Sequence, residues 1–117
     1  MLIIEGSQIV ARLFAEMFER RGWNVVICND RGCAFERLAE KEPYDVILVS
    51  YRVHGTDGLQ LIRLIRALDH LRMTPVVMVT GTGQIMKEAL AAGADAVLIK
   101  PINPNALVST VEKHTSG

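Results

Sequence analysis

Short apolar runs alternate along this chain with longer stretches whose apolar residues recur every three or four positions. Leu2, Ile3 and Ile4 form the first run. From Ser7 to Arg21, the residues Ile9, Val10, Leu13, Phe14, Met17 and Phe18 fall on one helical face. Ser7 is placed to cap that helix and Gly22 to stop it. WNVVIC (23–28) reads as a second strand, Cys33 to Glu40 as a second helix, and Val46 to Val49 as a third strand. Between Asp57 and Leu71, Leu59, Ile62, Ile65 and Leu68 recur at steps of three, with Leu61 and Leu64 widening the stripe. That is the third helix. PVVMV (75–79) is a fourth strand, GQIMKEALAAG (83–93) a fourth helix closed by Gly93, and AVLI (96–99) a fifth strand. The final helix takes Asn103 as its cap and Pro104 at its first position, with Leu107, Val108 and Val111 as its stripe.

Five strands thus alternate with five helices. The strands are continuously apolar, as expected when helices cover both faces of a parallel sheet. Right-handed crossovers then give one doubly wound α/β domain, a three-layer (βα)5 sandwich over residues 1–117. No linker, repeat or low-complexity segment interrupts it.

Composition narrows the function classes. The 117 residues suffice for one core, and half of them are hydrophobic. Thirteen basic residues balance thirteen acidic ones, and no basic patch stands out. No field draws in nucleic acid or an anionic membrane. No apolar run approaches a membrane span, and Glu5 cuts short the first one, so a cytoplasmic location is expected. Cys28 and Cys33 bracket four residues, which is not zinc spacing, and the expectation is two reduced cysteines.

In a doubly wound sheet the chemistry lies beyond the carboxyl ends of the strands. Those ends offer Glu5, Gly6 and Ser7, then Ser50 to Arg52, then Thr80 to Thr82, and finally Lys100-Pro101. This constellation, with "VVMVTG", "VLIKP" and "GTDGLQLI", resembles the receiver domain of two-component response regulators along the whole chain. The resemblance implies a flavodoxin-like sheet of order 2-1-3-4-5. It also implies a phosphoryl group received from a histidine kinase on an aspartate ending the third strand, Mg²⁺ held by an acidic pair after the first strand, and phosphoryl oxygens bound by a hydroxyl and a lysine. Thr80 and Lys100 match the last two positions. Glu5 matches the first acidic position in charge alone, Gly6 stands at the second, and Ser50 stands at the phosphoacceptor position.

The expected consequence is a site without its chemistry. One carboxylate is a poor basis for Mg²⁺, so weak or absent metal binding and no cofactor are expected. A serine hydroxyl without a base is a weak nucleophile. Val97 also replaces the aromatic residue that the family often carries three positions before the lysine. Lys100 is expected to pair with Glu5, and Arg52 is a possible site cation in place of Mg²⁺. Asp57 caps the third helix, Asp45 lies at the far end of the sheet, and His54, His70 and His114 are surface residues. GTGQIM (81–86) lacks the third glycine of a nucleotide fingerprint.

The reading is a receiver-like, non-enzymatic module of phosphorelay signalling that is independent of phosphorylation. Its partners would be a protein or output domain, such as a histidine kinase or regulator. A homodimer through the fourth helix, fifth strand and fifth helix, with Lys87, Glu88 and Lys113, is a further possibility. Two rivals remain: an anion sensor at Lys100 and Thr80, and an enzyme on Ser50 or Lys100, for which the sequence nominates no base. Whether the chain stands alone or belongs to a longer regulator or hybrid kinase stays open.

Overall fold

The computed structural model describes residues 1–115, and the last two residues of the expected domain lie outside it. Strands β1 (Leu2–Ile4), β2 (Val26–Cys28) and β3 (Ile47–Ser50) alternate with helices α1 (Gln8–Glu19) and α2 (Arg31–Ala39). A two-stranded hairpin follows, β4 (Arg52–Val53) with β5 (Thr56–Asp57), and leads into α3 (Gly58–Ala67). Then come β6 (Val76–Thr80), α4 (Met86–Ala92), β7 (Ala96–Ile99) and α5 (Pro104–Thr115). The main sheet is parallel throughout, in the order β2-β1-β3-β6-β7. Counted by main-sheet strands alone, this is the 2-1-3-4-5 order and the three-layer fold expected.

Alternation along the strands divides the core into two layers. Ile3, Leu48, Val77 and Val79 face α1 and α5, where Phe14, Phe18, Leu107 and Val111 meet them. Leu2, Ile4, Ile47, Val49 and Met78 face the other way, onto Leu38 of α2, Ile62 and Ile65 of α3, and Ala89 of α4. The inner strands β1, β3 and β6 are buried along their whole length. The outer strands β2 and β7 are half-covered.

Local signals set the helix ends. Ser7, Asp30 and Asp57 accept N–H groups of the first turns of α1, α2 and α3. Asn103 accepts two at the start of α5. Gly93 ends α4 at φ +120°. Gly58 has a different reason to be glycine. An added Cβ would lie 2.7 Å from the Ser50 carbonyl oxygen and 3.0 Å from Tyr51 Cα, because the start of α3 presses onto the end of β3.

Several expectations need correction. The second helix starts at Arg31, not Cys33, because Asp30 caps it. The third ends at Ala67; Leu68 leaves the helix with extended backbone, and a 3-10 turn covers Asp69–Leu71. The fourth opens with a 3-10 turn at Gly83–Ile85. The apolar residues of α1 do not share one fate. Phe14 and Phe18 are buried, whereas Ile9 is 76% and Leu13 56% exposed, lining an open groove with Ile27 of the outer strand β2. Cys28 and Cys33 are not a pair of thiols; they form a disulfide, with Cα atoms 5.4 Å apart. Cys28 ends β2 and Cys33 lies in the first turn of α2, and the tight connection between them turns one side chain toward the other.

The amino end of the sheet is tied together by Arg66, a residue with no conspicuous sequence signal. Its guanidinium donates to the carbonyls of Gly93, Leu71, Arg72 and Thr74 and to Asp95 Oδ2. Asp95 Oδ2 also accepts the N–H of Val76, the first residue of β6. Two loops, a helix and a strand are held by one side chain.

Candidate functional site

Strand register assembles the site at the opposite, carboxyl end. Ile4 pairs with Val49, Ser50 with Val79, and Thr80 with Ile99. The next residues out, Glu5 and Lys100, are thereby brought beside Ser50 and Thr80. The parallel arrangement thus converges four positions separated by up to 95 residues in sequence.

Glu5 is the centre. Its side chain is 4% exposed, so its carboxylate must find partners inside the protein. Oε1 accepts the Ser50 hydroxyl at 2.5 Å and the Lys100 ammonium at 3.3 Å. Oε2 accepts the Ser7 backbone N–H at 2.8 Å, a donor at the start of α1. The backbone is fixed as well: the Glu5 N–H donates to the Cys28 carbonyl, and Asn29 Nδ2 donates to the Glu5 carbonyl. The expected Glu5–Lys100 pair is present. The Ser50–Glu5 bond was not foreseen, and it places a carboxylate within reach of the serine although the sequence nominated no base. Ser50 is nonetheless 2% exposed, so its hydroxyl is shielded from solvent.

Thr80 is present at the site but faces elsewhere. Its hydroxyl donates to the Thr82 carbonyl and accepts the Thr82 N–H, closing a small turn after β6. Lys100 keeps its backbone bonded to the Thr80 carbonyl at 2.7 Å and its side chain 37% exposed.

Gly6 and Arg52 meet through main chain. The Gly6 N–H donates to the Arg52 carbonyl, and a Cβ on Gly6 would lie 2.9 Å from that oxygen. The Arg52 side chain is exposed, at the rim of an open cleft of about 660 Å³ that Gly6, His54, Thr56, Asp57 and Lys100 also line. The hairpin is anchored at its turn as well, where the His54 carbonyl accepts the Arg31 N–H. His54, His70 and His114 are not site residues: His54 is exposed, while His70 and His114 bond the carbonyls of Leu38 and Thr110. Asp57 caps α3 as expected.

The sequence model described as the response regulator receiver domain matches residues 1–112. The phosphate regulon transcriptional regulatory protein PhoB of Klebsiella pneumoniae is 31% identical over 113 residues, which are 95% of this chain and 49% of that protein. The chain therefore spans about half the length of the PhoB relatives it matches. The signal receiver domain of a histidine kinase from Syntrophus aciditrophicus superposes with a TM-score of 0.88 at 27% identity, covering 99% of this chain and 89% of that one. A receiver domain of a sensor histidine kinase from Pseudomonas aeruginosa, with magnesium coordinated in its active site cleft, has the same fold. Its TM-score is 0.89 at 24% identity, covering 99% of this chain and 96% of that one. With that match over nearly the whole of a parallel sheet whose carboxyl ends gather Glu5, Ser50, Thr80 and Lys100, the chain belongs to the response regulator receiver domains of two-component signalling.

Proposed function

We propose that this receiver domain signals without aspartyl phosphorylation and acts by binding protein through α4, β7 and α5. The main support is the closed network around Glu5. At the position where the family places its phosphoacceptor, the Ser50 hydroxyl donates a hydrogen bond to Glu5 and is sealed from solvent. Lys100, the family's phosphate-binding cation, is paired to the same oxygen.

The donor set does not fit Mg²⁺. That ion demands near-octahedral oxygen ligands, usually with one or two carboxylates beside the phosphate. Among the described residues Glu5 is the carboxylate that follows an inner strand, and both of its oxygens are bonded within the protein. Gly6 brings no ligand, and the Arg52 carbonyl fills the space its side chain would enter. Among the described residues no group of three His, Cys, Asp or Glu is arranged to hold a metal. The anion-sensor reading has less support, since Lys100 is paired and the Thr80 hydroxyl is turned onto Thr82.

The binding face draws support from its surface. Leu90 of α4 is 48% exposed and Ile99 of β7 is 42% exposed, and Lys87, Glu88 and Lys113 on α4 and α5 are exposed charges. Apolar side chains rimmed by both charge signs suit a specific protein contact. A homodimer or an output domain would satisfy this face equally well.

Amide NMR during addition of Mg²⁺ and then beryllofluoride, an acyl-phosphate mimic, tests the reading. The expected result is no saturable shift at Glu5, Thr80 or Lys100. Saturable shifts at those amides would mean that the site still binds metal and phosphoryl groups, and the proposal would be withdrawn.

A further inference from the structure

The Cys28–Cys33 disulfide lies next to the site, and its surroundings connect it there by hydrogen bonds. We infer that the pair is a redox-sensitive clasp: its dithiol or disulfide state sets how firmly the connection between β2 and α2 grips Glu5 and the β4–β5 hairpin. This stands independently of whether the site accepts phosphate.

Three contacts carry it. The Cys28 carbonyl accepts the Glu5 N–H at 2.9 Å. Asn29, inside the loop the disulfide closes, donates through Nδ2 to the Glu5 carbonyl at 2.9 Å. Arg31, inside the same loop, donates its N–H to the His54 carbonyl at 2.8 Å, and Asp30 and His54 form a short parallel bridge. The six residues from Cys28 to Cys33 thus touch the central carboxylate's backbone on one side and the hairpin over Gly6 on the other. Holding the ends of this segment together removes the loop's freedom to leave those partners.

The two sulfurs differ in access. Cys28 is 1% exposed and packs in the core under α2, whereas Cys33 is half-buried at the surface end of that helix. Exchange requires a sulfur that an incoming thiol or disulfide can reach, and Cys33 is that sulfur. Oxidation runs with glutathione disulfide as the oxidant. The Cys33 thiolate attacks one of its sulfurs and expels one glutathione thiolate. The Cys28 thiolate then attacks Cys33 Sγ of the mixed disulfide and expels the second. The protein loses two electrons and two protons, and two glutathione thiols are formed. In reducing compartments, bonds of this kind are usually transient and sensory, not structural.

Hydrogen exchange followed by NMR on the whole chain, in glutathione buffers of varied ratio, provides the test. On reduction, the N–H groups of Glu5 and Arg31 should exchange at least roughly fivefold faster, while Val76, bonded to Asp95 at the far end, stays unchanged. Cys33→Ser, which leaves the buried Cys28 in place, should match the reduced protein in every buffer. Failure to form the disulfide in excess glutathione disulfide overturns the inference. So does exchange at Glu5 and Arg31 that ignores the redox state, or a Cys33→Ser protein that still responds to the buffer.

Discussion

Arg66 pairs with Asp95 near the amino end of the parallel sheet and Lys100 with Glu5 near the carboxyl end, and the two pairs are built on opposite plans. At the amino end, Arg66 is held by four main-chain carbonyls and Asp95, with its side chain 20% exposed. At the carboxyl end, Lys100 has one described side-chain partner, Glu5, and is 37% exposed. The buried member is the cation in the first case and the carboxylate in the second. A guanidinium with five fixed donors can bind several loops at once, whereas an ammonium on a flexible stem is a movable charge. The first pair is a structural tie. The second leaves the cation free to exchange partners while Glu5 keeps Ser50 and Ser7.

Substitution should separate the two ends. Arg66→Ala removes the one donor shared by four carbonyls and Asp95, which keeps only the Val76 N–H, and should cost about 3 kcal/mol in urea unfolding. Lys100→Ala should cost less than about 1 kcal/mol, since its charge is a third exposed. Equal losses would erase the distinction. Next in size, Glu5→Ala strips the buried Ser50 hydroxyl and the Ser7 N–H of their acceptor and should lose about 2 kcal/mol. In the double variant with Lys100→Ala, most of that loss should persist, because the buried Ser50 hydroxyl and not the lysine carries it.

Gly6→Ala is milder. Its Cβ meets the Arg52 carbonyl at 2.9 Å, so the hairpin must move, at a cost of about 1 kcal/mol and with amide shifts concentrated in residues 52–57. The smallest effect belongs to an exposed ion pair that joins the end of α1 to α5. Arg21 donates twice to Glu112, and that bond holds the Glu112 carboxyl below its ordinary value. A carboxyl depressed in the folded state stabilises above its unfolded pKa and loses that contribution as pH falls through the folded one. The melting-temperature gap between the wild type and Glu112→Gln should be slight near neutrality. It should close in acid, below the ordinary glutamate value of about 4.3.

The sheet and its helices were legible because the main signals are strong: three inner strands with no polar break, and apolar stripes that run ten residues or more in α1, α3 and α5. The Glu5–Lys100 pair was legible too, since the topology alone puts the residues after β1 and β7 on one edge. Shorter or indirect signals were lost. The hairpin's strands are two residues each, too brief for an alternation pattern. Arg66 reads as an ordinary charged residue of an amphipathic helix, because its partners are carbonyls that no side-chain pattern reports. The cysteines were misread because their spacing fits no metal site. What joins them is a strand end facing a helix's first turn, a relation that spacing does not encode. The turn of Thr80 onto Thr82 is likewise a rotamer choice that no residue type dictates.

The Arg52 carbonyl over Gly6 also bears on descent. A lineage that loses an acidic residue at that position can regain it by mutation only while the space stays open. Here the Arg52 carbonyl occupies it, so any side chain at position 6 would meet main chain first. Recovery of the family's chemistry would require the hairpin to change before or together with position 6, and Ser50 besides.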